Sequence, residues 1–236
     1  LLRWEHPQLG LVQPSRFINL AEDTGLIVPI GDWVLRGACE QVRRWVESGW
    51  YDATVAVNLS ARQFAQPDLI TRIRTALTQA DIEAWRLRLE VTESMLMNDV
   101  DAAASTFEQL ARMGVQLALD DFGTGYSSLN YLKRFHLGYI KVDRCFVDGL
   151  PDDVEDESIV RAIVALGKTL GMKIIAEGVE TAAQAEFLHL AGCDDGQGFY
   201  YSRATSPGAV RALAASAFPR AAGSLQTQLD FALQSA

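Results

Sequence analysis

The segment LALDDFGTG, Leu117 to Gly125, ends an apolar run in two adjacent aspartates and then a glycine turn. Polar groups recur in the same position along the chain. VAVNLS ends in Asn58, RLEVTES carries Glu90 and Glu93, YIKVD supplies Lys141 and Asp143, IIAEGVE supplies Glu177 and Glu180, and GCDDGQG supplies Gln197. Carboxylates, amides and a lysine gathered in a dry site need a counter-charge, because unpaired buried anions are costly or take up protons. Divalent cations meet that need. The donors are oxygens, and none of His6, His136 or His189 stands at a strand end, so Mg2+ or Mn2+ is favoured over zinc. Two neighbouring aspartates suit a metal pair, one carboxylate bridging, of the kind that activates water against phosphate esters.

Taken singly, each residue has a plainer reading. An Asp-Asp before Phe-Gly-Thr-Gly serves as a turn or a helix cap, Asn58 as a cap, Glu90 and Glu93 as a solvated strand end, and Glu177 with Glu180 as a charged turn. Capping does not explain why such groups recur at one strand end after another. Lys141 fits a plain reading least, since lysine is rarely buried without a carboxylate or ligand to face.

The elements that must position these groups alternate along the chain. Helical spacing covers Pro14 to Glu22, Asp32 to Ser48, Asp68 to Ala80, Asp99 to Met113, Glu157 to Leu170, Ala182 to Leu190 and Pro207 to Ala215. Gly25, Gly49, Gly114, Gly171 and Gly192 stand where C-caps belong. Strands are predicted at Ala53 to Asn58, Leu87 to Val91, Gln116 to Asp120, Tyr139 to Val142 and Lys173 to Ala176. These are apolar throughout, as strands covered on both faces are, and repeated strand-helix units make their sheet parallel. A barrel gathers its strand ends into one ring, whereas an open sheet spreads them along a line. The expected fold is therefore an α/β (β/α)8 barrel of the TIM type in a single domain. Trp33, Trp45 and Phe107 are expected in the core, and Arg43, Arg44, Arg72 and Arg74 on solvated helix faces.

Charge and composition narrow the function classes. The formal net charge of -9 over 236 residues excludes a general affinity for DNA, and an anionic partner needs local help from metal ions. Cys39, Cys145 and Cys193 are odd in number and lack CxxC spacing, so neither a disulfide framework nor a zinc site is expected. No apolar run approaches the roughly 20 residues that span a bilayer. The expected location is the cytoplasm, with a parent protein that could be membrane-anchored.

Together the segments LLRWEHP, VNLSARQF, LEVTES, DDFGTGYSSLNYL, IKVD, AEGVE and QGFYY closely resemble EAL domains, the cyclic di-GMP phosphodiesterases of bacterial signalling. The resemblance runs in order from Leu1 to about Arg211. It implies a TIM-like barrel in which two Mg2+ or Mn2+ ions bind one phosphodiester of cyclic di-GMP, and water opens the ring to linear pGpG. Carried over by motif, Asn58, Glu90, Asp120, Asp121 and Glu177 are metal ligands, with Asp120 the bridge. Lys141 orients the nucleophilic water or neutralises phosphate charge, and Glu177 is also a candidate general base. Glu93 pins the loop Phe122 to Ser128, which in this family links the metal site to a homodimer interface. Arg3 resembles a phosphate-contacting arginine, while Gln63, Asp143, Glu180 and Gln197 fall on the substrate side. The family also implies an upstream sensory, GGDEF or PAS module.

Two departures stand out. The glutamate that names the family belongs two residues before Leu1, so the first barrel strand is expected to be truncated and one metal ligand missing, with weakened turnover. Ala204 replaces the proline usual after Arg203, which alters a loop. The domain is expected over residues 1–217, with 218–236 a tail or terminal helix. The competing reading is a catalytically weak or inactive cyclic di-GMP receptor, but such receptors lose several ligands and the DDFG loop, which are intact here.

Overall fold

In a computed structural model of the chain, residues 2–97, 99–124 and 132–217 are described. They group into two compact units, one running to Val91 and taking in Gln109–Gln116, the other holding Thr92–Glu108 and the chain from Leu117 onward.

The first unit opens with an antiparallel hairpin, β1 (Trp4–His6) and β2 (Gly10–Val12), in which Trp4 faces Val12. Helix α1 (Ile18–Thr24) ends at Gly25 and is followed by α2 (Ile27–Glu47). Helix α2 starts earlier than its spacing suggests, because Pro29 reads as a breaker yet sits in the first turn, where no backbone N–H is needed. That start fixes its buried stripe as Ile27, Gly31, Leu35, Cys39, Val42 and Trp45. Trp33 lies off this stripe and is 62% exposed, contrary to the core position expected of it, whereas Trp45 and Phe107 are buried. Strand β3 (Val55–Asn58) leads through α3 (Ala61–Phe64) and α4 (Leu69–Ala80) to β4 (Leu87–Thr92), which pairs parallel with β3. Val12, Phe17, Ile18, Ala21 and Ile27 form an apolar cluster under the hairpin.

The second unit holds α5 (Glu93–Met97), most of α6 (Val100–Met113) and nearly all of β5 (Gln116–Phe122), then β6 (Tyr139–Val142) and α7 (Arg144–Val147). After these come α8 (Val154–Thr169), β7 (Lys173–Ala176), α9 (Ala182–Ala191), β8 (Asp195–Gly196) and α10 (Pro207–Ala217). Strands β5 to β8 pair in sequence order, all parallel. A parallel neighbour requires a crossover, and α8 and α9 supply two of them. Ala118, Tyr139 and Ile175 pack together on neighbouring strands. Asp153 caps α8 by accepting from Glu155 N at 2.8 Å and Asp156 N at 3.2 Å, so that helix begins three residues before its predicted start. The tail 218–236 lies outside the described residues.

Candidate active site

Three strand ends of the second unit build a charged cluster. Lys141 on β6 pairs in register with Ile175 of β7 and is 1% exposed. Its Nζ stands 2.9 Å from Asp120 Oδ1 and in closer contact with Glu177 Oε1. Glu177 follows β7 directly, its backbone N–H donating to Val142 O at 3.1 Å. Asp120 and Asp121 form a bulge: Leu119 pairs with Ile140 and Phe122 with Val142, so two residues of β5 stand opposite Lys141 alone. Asp121 takes φ +54°, a left-handed conformation that costs about 1 kcal/mol or more and persists only where the surroundings impose it. Its carboxyl shares a hydrogen bond with Asp143, whose Oδ1 also caps α7 by accepting from Cys145 N at 2.8 Å.

One ammonium does not neutralise this group. Burial first, then the charges of Asp120 and Asp143, push the Asp121 carboxyl up to about 6 against the opposing pull of Lys141. Burial likewise raises Glu177, with Lys141 drawing it down and Asp120 pushing it up. The cluster therefore holds protons that free carboxylates would shed, and oxygen donors in excess of positive charge fit a divalent cation. The donors are not pre-gathered: among the described residues no three His, Cys, Asp or Glu side chains form a metal-holding group.

In the first unit, Asn58 and Glu90 are register partners at the ends of β3 and β4, and Leu59 N donates to Glu90 O at 2.9 Å. Glu90 is buried. Arg3 is half-buried, its Nη1 donating to Leu2 O at 2.8 Å. Gln63 closes a capping box with Ser60 at the start of α3, accepting from Ser60 Oγ at 3.0 Å. A Cβ on Gly31 would overlap the Gln63 amide, so this side chain is wedged between α3 and α2.

The other predicted residues belong to the second unit. Glu93 opens α5 buried, with both carboxylate oxygens lacking a hydrogen-bond partner among the described residues. Of the loop it was expected to pin, Phe122 to Ser128, only the start is described, where Thr124 Oγ1 donates to Asp121 O at 2.8 Å; residues 125–128 lie outside. Gln197 N donates to Ala176 O at 2.8 Å, while its side-chain Oε1 is shielded and unpartnered among the described residues. Glu180 is more exposed and pairs with Arg144 at 2.8 Å.

Two residues near this cluster escaped the sequence reading. Arg144 follows Asp143, and Gln184 is buried on α9. Gln184 had a legible signal, since Thr181-Ala-Ala-Gln184 is a capping-box pattern and the box is formed. Arg144 had none.

The EAL domain family profile matches residues 1–204. The chain is 56% identical over 203 residues to the bifunctional diguanylate cyclase/cyclic di-GMP phosphodiesterase MucR of Pseudomonas aeruginosa, covering 86% of this chain and 30% of MucR. It is 42% identical to the cyclic di-GMP phosphodiesterase PdeR of Escherichia coli, covering 86% of this chain and 31% of PdeR. The chain thus spans less than a third of these curated relatives. The solved structure of the MucR phosphodiesterase in complex with c-di-GMP superimposes with a TM-score of 0.83 at 56% identity, covering 86% of this chain and 82% of that one. The fold class is the TIM-like α/β barrel of these domains, as the strand ends led one to expect. With matching motifs, fold and sequence, the chain belongs to the EAL domain family.

Proposed function

We propose that this domain hydrolyses cyclic di-GMP to linear pGpG in bacterial second-messenger signalling, with a pair of Mg2+ or Mn2+ ions as cofactor. The observation that carries the reading is Lys141, fully buried in contact with both Asp120 and Glu177 while the neighbouring Asp121 carboxyl stays raised against its pull. A cluster that keeps one cation and still has proton-holding carboxylates is built for further positive charge and for an anionic ligand. The similarity to phosphodiesterases and to a c-di-GMP complex supports the same substrate.

Asn58, Glu90, Asp120, Asp121 and Glu177 would hold the metals, which when bound supply Lewis acidity and a water that ionises near neutral pH. Lys141 presents an ammonium to the attacking water or to a phosphate oxygen, offsetting the charge that develops on phosphorus. Glu177, in contact with Lys141, is the candidate to accept a proton from the attacking water. Arg3 binds phosphate. Asp143, Glu180 and Gln197 face the dinucleotide. Gln63 supports the turn after Asn58, and Glu93 positions the loop after Asp121. The domain works as a homodimer beneath an upstream sensory, GGDEF or PAS module.

The test is Mn2+- and Mg2+-dependent conversion of cyclic di-GMP to pGpG, assayed in this chain and in one extended at its amino end. Turnover that Asp120→Asn abolishes is expected. Tight binding of cyclic di-GMP without turnover in either chain would replace the enzyme with a receptor.

A further inference from the structure

The stretch from Glu177 to Thr181 is gripped from α7 at both ends of that short helix. At its start, Arg144 lies across Gly178: a Cβ there would stand 2.3 Å from Arg144 Cγ and 2.9 Å from its Cβ. Gly178 takes φ +70°, so only bare backbone allows the arginine stem to settle on it. From that seat Arg144 Nη2 donates to Glu180 Oε1 at 2.8 Å, and Nε donates to Asp148 at 3.1 and 3.2 Å. At the other end of α7, the buried Gln184 amide donates from Nε2 to Val147 O at 3.1 Å. Its Oε1 accepts from Glu180 N at 2.8 Å and Thr181 N at 3.0 Å. Helix α7 is capped by Asp143, which hydrogen-bonds Asp121. One short helix therefore connects the twin-aspartate bulge to the loop that carries Glu177.

We propose that Arg144 and Gln184 are positioning residues, a two-point latch that fixes the Glu177 loop on α7 and so sets Glu177 against Lys141 and the twin aspartates. Neither touches the reacting groups. The Arg144–Glu180 pair is too exposed, at 53% and 40%, to matter much for global stability, so its removal acts through position. Gln184 Oε1 accepts from two loop N–H groups, those of Glu180 and Thr181, that would otherwise lie unpaired, so it fixes the loop more firmly. The proposal rests on the phosphodiesterase reading above.

The test compares Arg144→Ala, Arg144→Lys and Gln184→Ala with the parent in the full-length metal-loaded protein. It measures kcat and KM, amide hydrogen exchange over residues 178–181, and the urea midpoint. A displaced catalytic group of this kind costs one to two decades, so kcat is expected to fall by about tenfold in each alanine variant, with KM, which also feels the released Glu180, changing by less than kcat does. Exchange over 178–181 is expected to quicken, and the midpoint of Arg144→Ala to stay at the parent value. Arg144→Lys keeps the stem on Gly178 and one ion pair, and is expected to recover kcat to within about threefold. Should Gln184→Ala fail to fold, Arg144→Ala decides alone. Parent-like kcat or unaltered exchange in Arg144→Ala overturns the latch. If the parent itself turns nothing over, the phosphodiesterase reading fails, and the latch is judged on exchange: faster in the variants supports it, unchanged sinks it.

Discussion

Lys141 concentrates the electrostatics of the second unit in one side chain. An ammonium so buried is stable only with carboxylates against it, and Asp120 and Glu177 serve that purpose. Lys141→Met would leave those acids facing each other with no counter-ion. Breaking a buried pair from one side costs about 3 kcal/mol or more, so a large drop in urea stability of the metal-free chain is expected, together with loss of turnover. A parent-like midpoint would mean that the acids already share a proton. Asp121 gives a pH dependence of its own. Its folded-state value is raised from 3.8 to about 6, so between those values the folded chain holds more protons than the unfolded one. Stability of the metal-free chain is therefore expected to fall as pH rises through that window, and Glu177, raised as well, adds in the same direction. After discounting for solvent, Asp121 contributes of the order of 1 kcal/mol. Urea melts at pH 4.5 and pH 7 with chelator read this slope, and Mn2+ is expected to flatten it. A stability that rises with pH would contradict the cluster's excess of negative charge.

At the scale of elements, closeness of backbone to backbone sets the site's tolerances. A Cβ on Gly198 would lie 2.1 Å from Val179 O and 2.3 Å from Val179 N, atoms that cannot swing aside. Gly198→Ala is expected to break Val179 N to Gln197 O and Tyr200 N to Val179 O, at 3.0 and 2.9 Å. Two lost backbone bonds plus strain come to about 2 kcal/mol, measurable as a lowered urea midpoint with unchanged slope. Much at this scale could be read from the sequence. The five strands named from apolar runs all form, because runs buried on both faces carry their own signature, and polar residues at their ends mark where each chain leaves the sheet. Three things could not be read. Strand β8 is two residues long, too short for any period. The hairpin β1–β2 is set by pairing Trp4 with Val12 across a turn, without an Asn-Gly signal. The bulge at Asp120 and Asp121 is invisible because an extra residue leaves an apolar run unchanged in composition and appears only against Lys141 on the neighbouring strand. The latch was hidden for a related reason, since Arg144 and Glu180 are 36 residues apart and meet only through Gly178.

For the molecule as a whole, a net charge of -9 works against an anionic ligand until cations are bound. With chelator present, weak affinity for cyclic di-GMP is expected to rise between about 20 and 200 mM salt as repulsion is screened, the Debye length shrinking from about 20 to 7 Å. With Mn2+ present, the trend is expected to reverse. Affinity that falls with salt in both conditions would point instead to a basic ligand path. None of the described helices is long and apolar enough to cross a membrane. The division into two units has one more consequence. Trp4, Trp33, Trp45, Trp50 and Trp85 all belong to the first unit, where the rings of Trp45 and Trp50 lie 5.3 Å apart at a tilt of 52°, and the second unit has no tryptophan. Indole emission is thus an optical label on one half of the fold, placed there by the natural sequence. Unfolding followed by that emission times the loss of the hairpin and α2, while far-ultraviolet dichroism records both halves. The difference between the two curves isolates the half that holds Lys141, without any dye or added reporter.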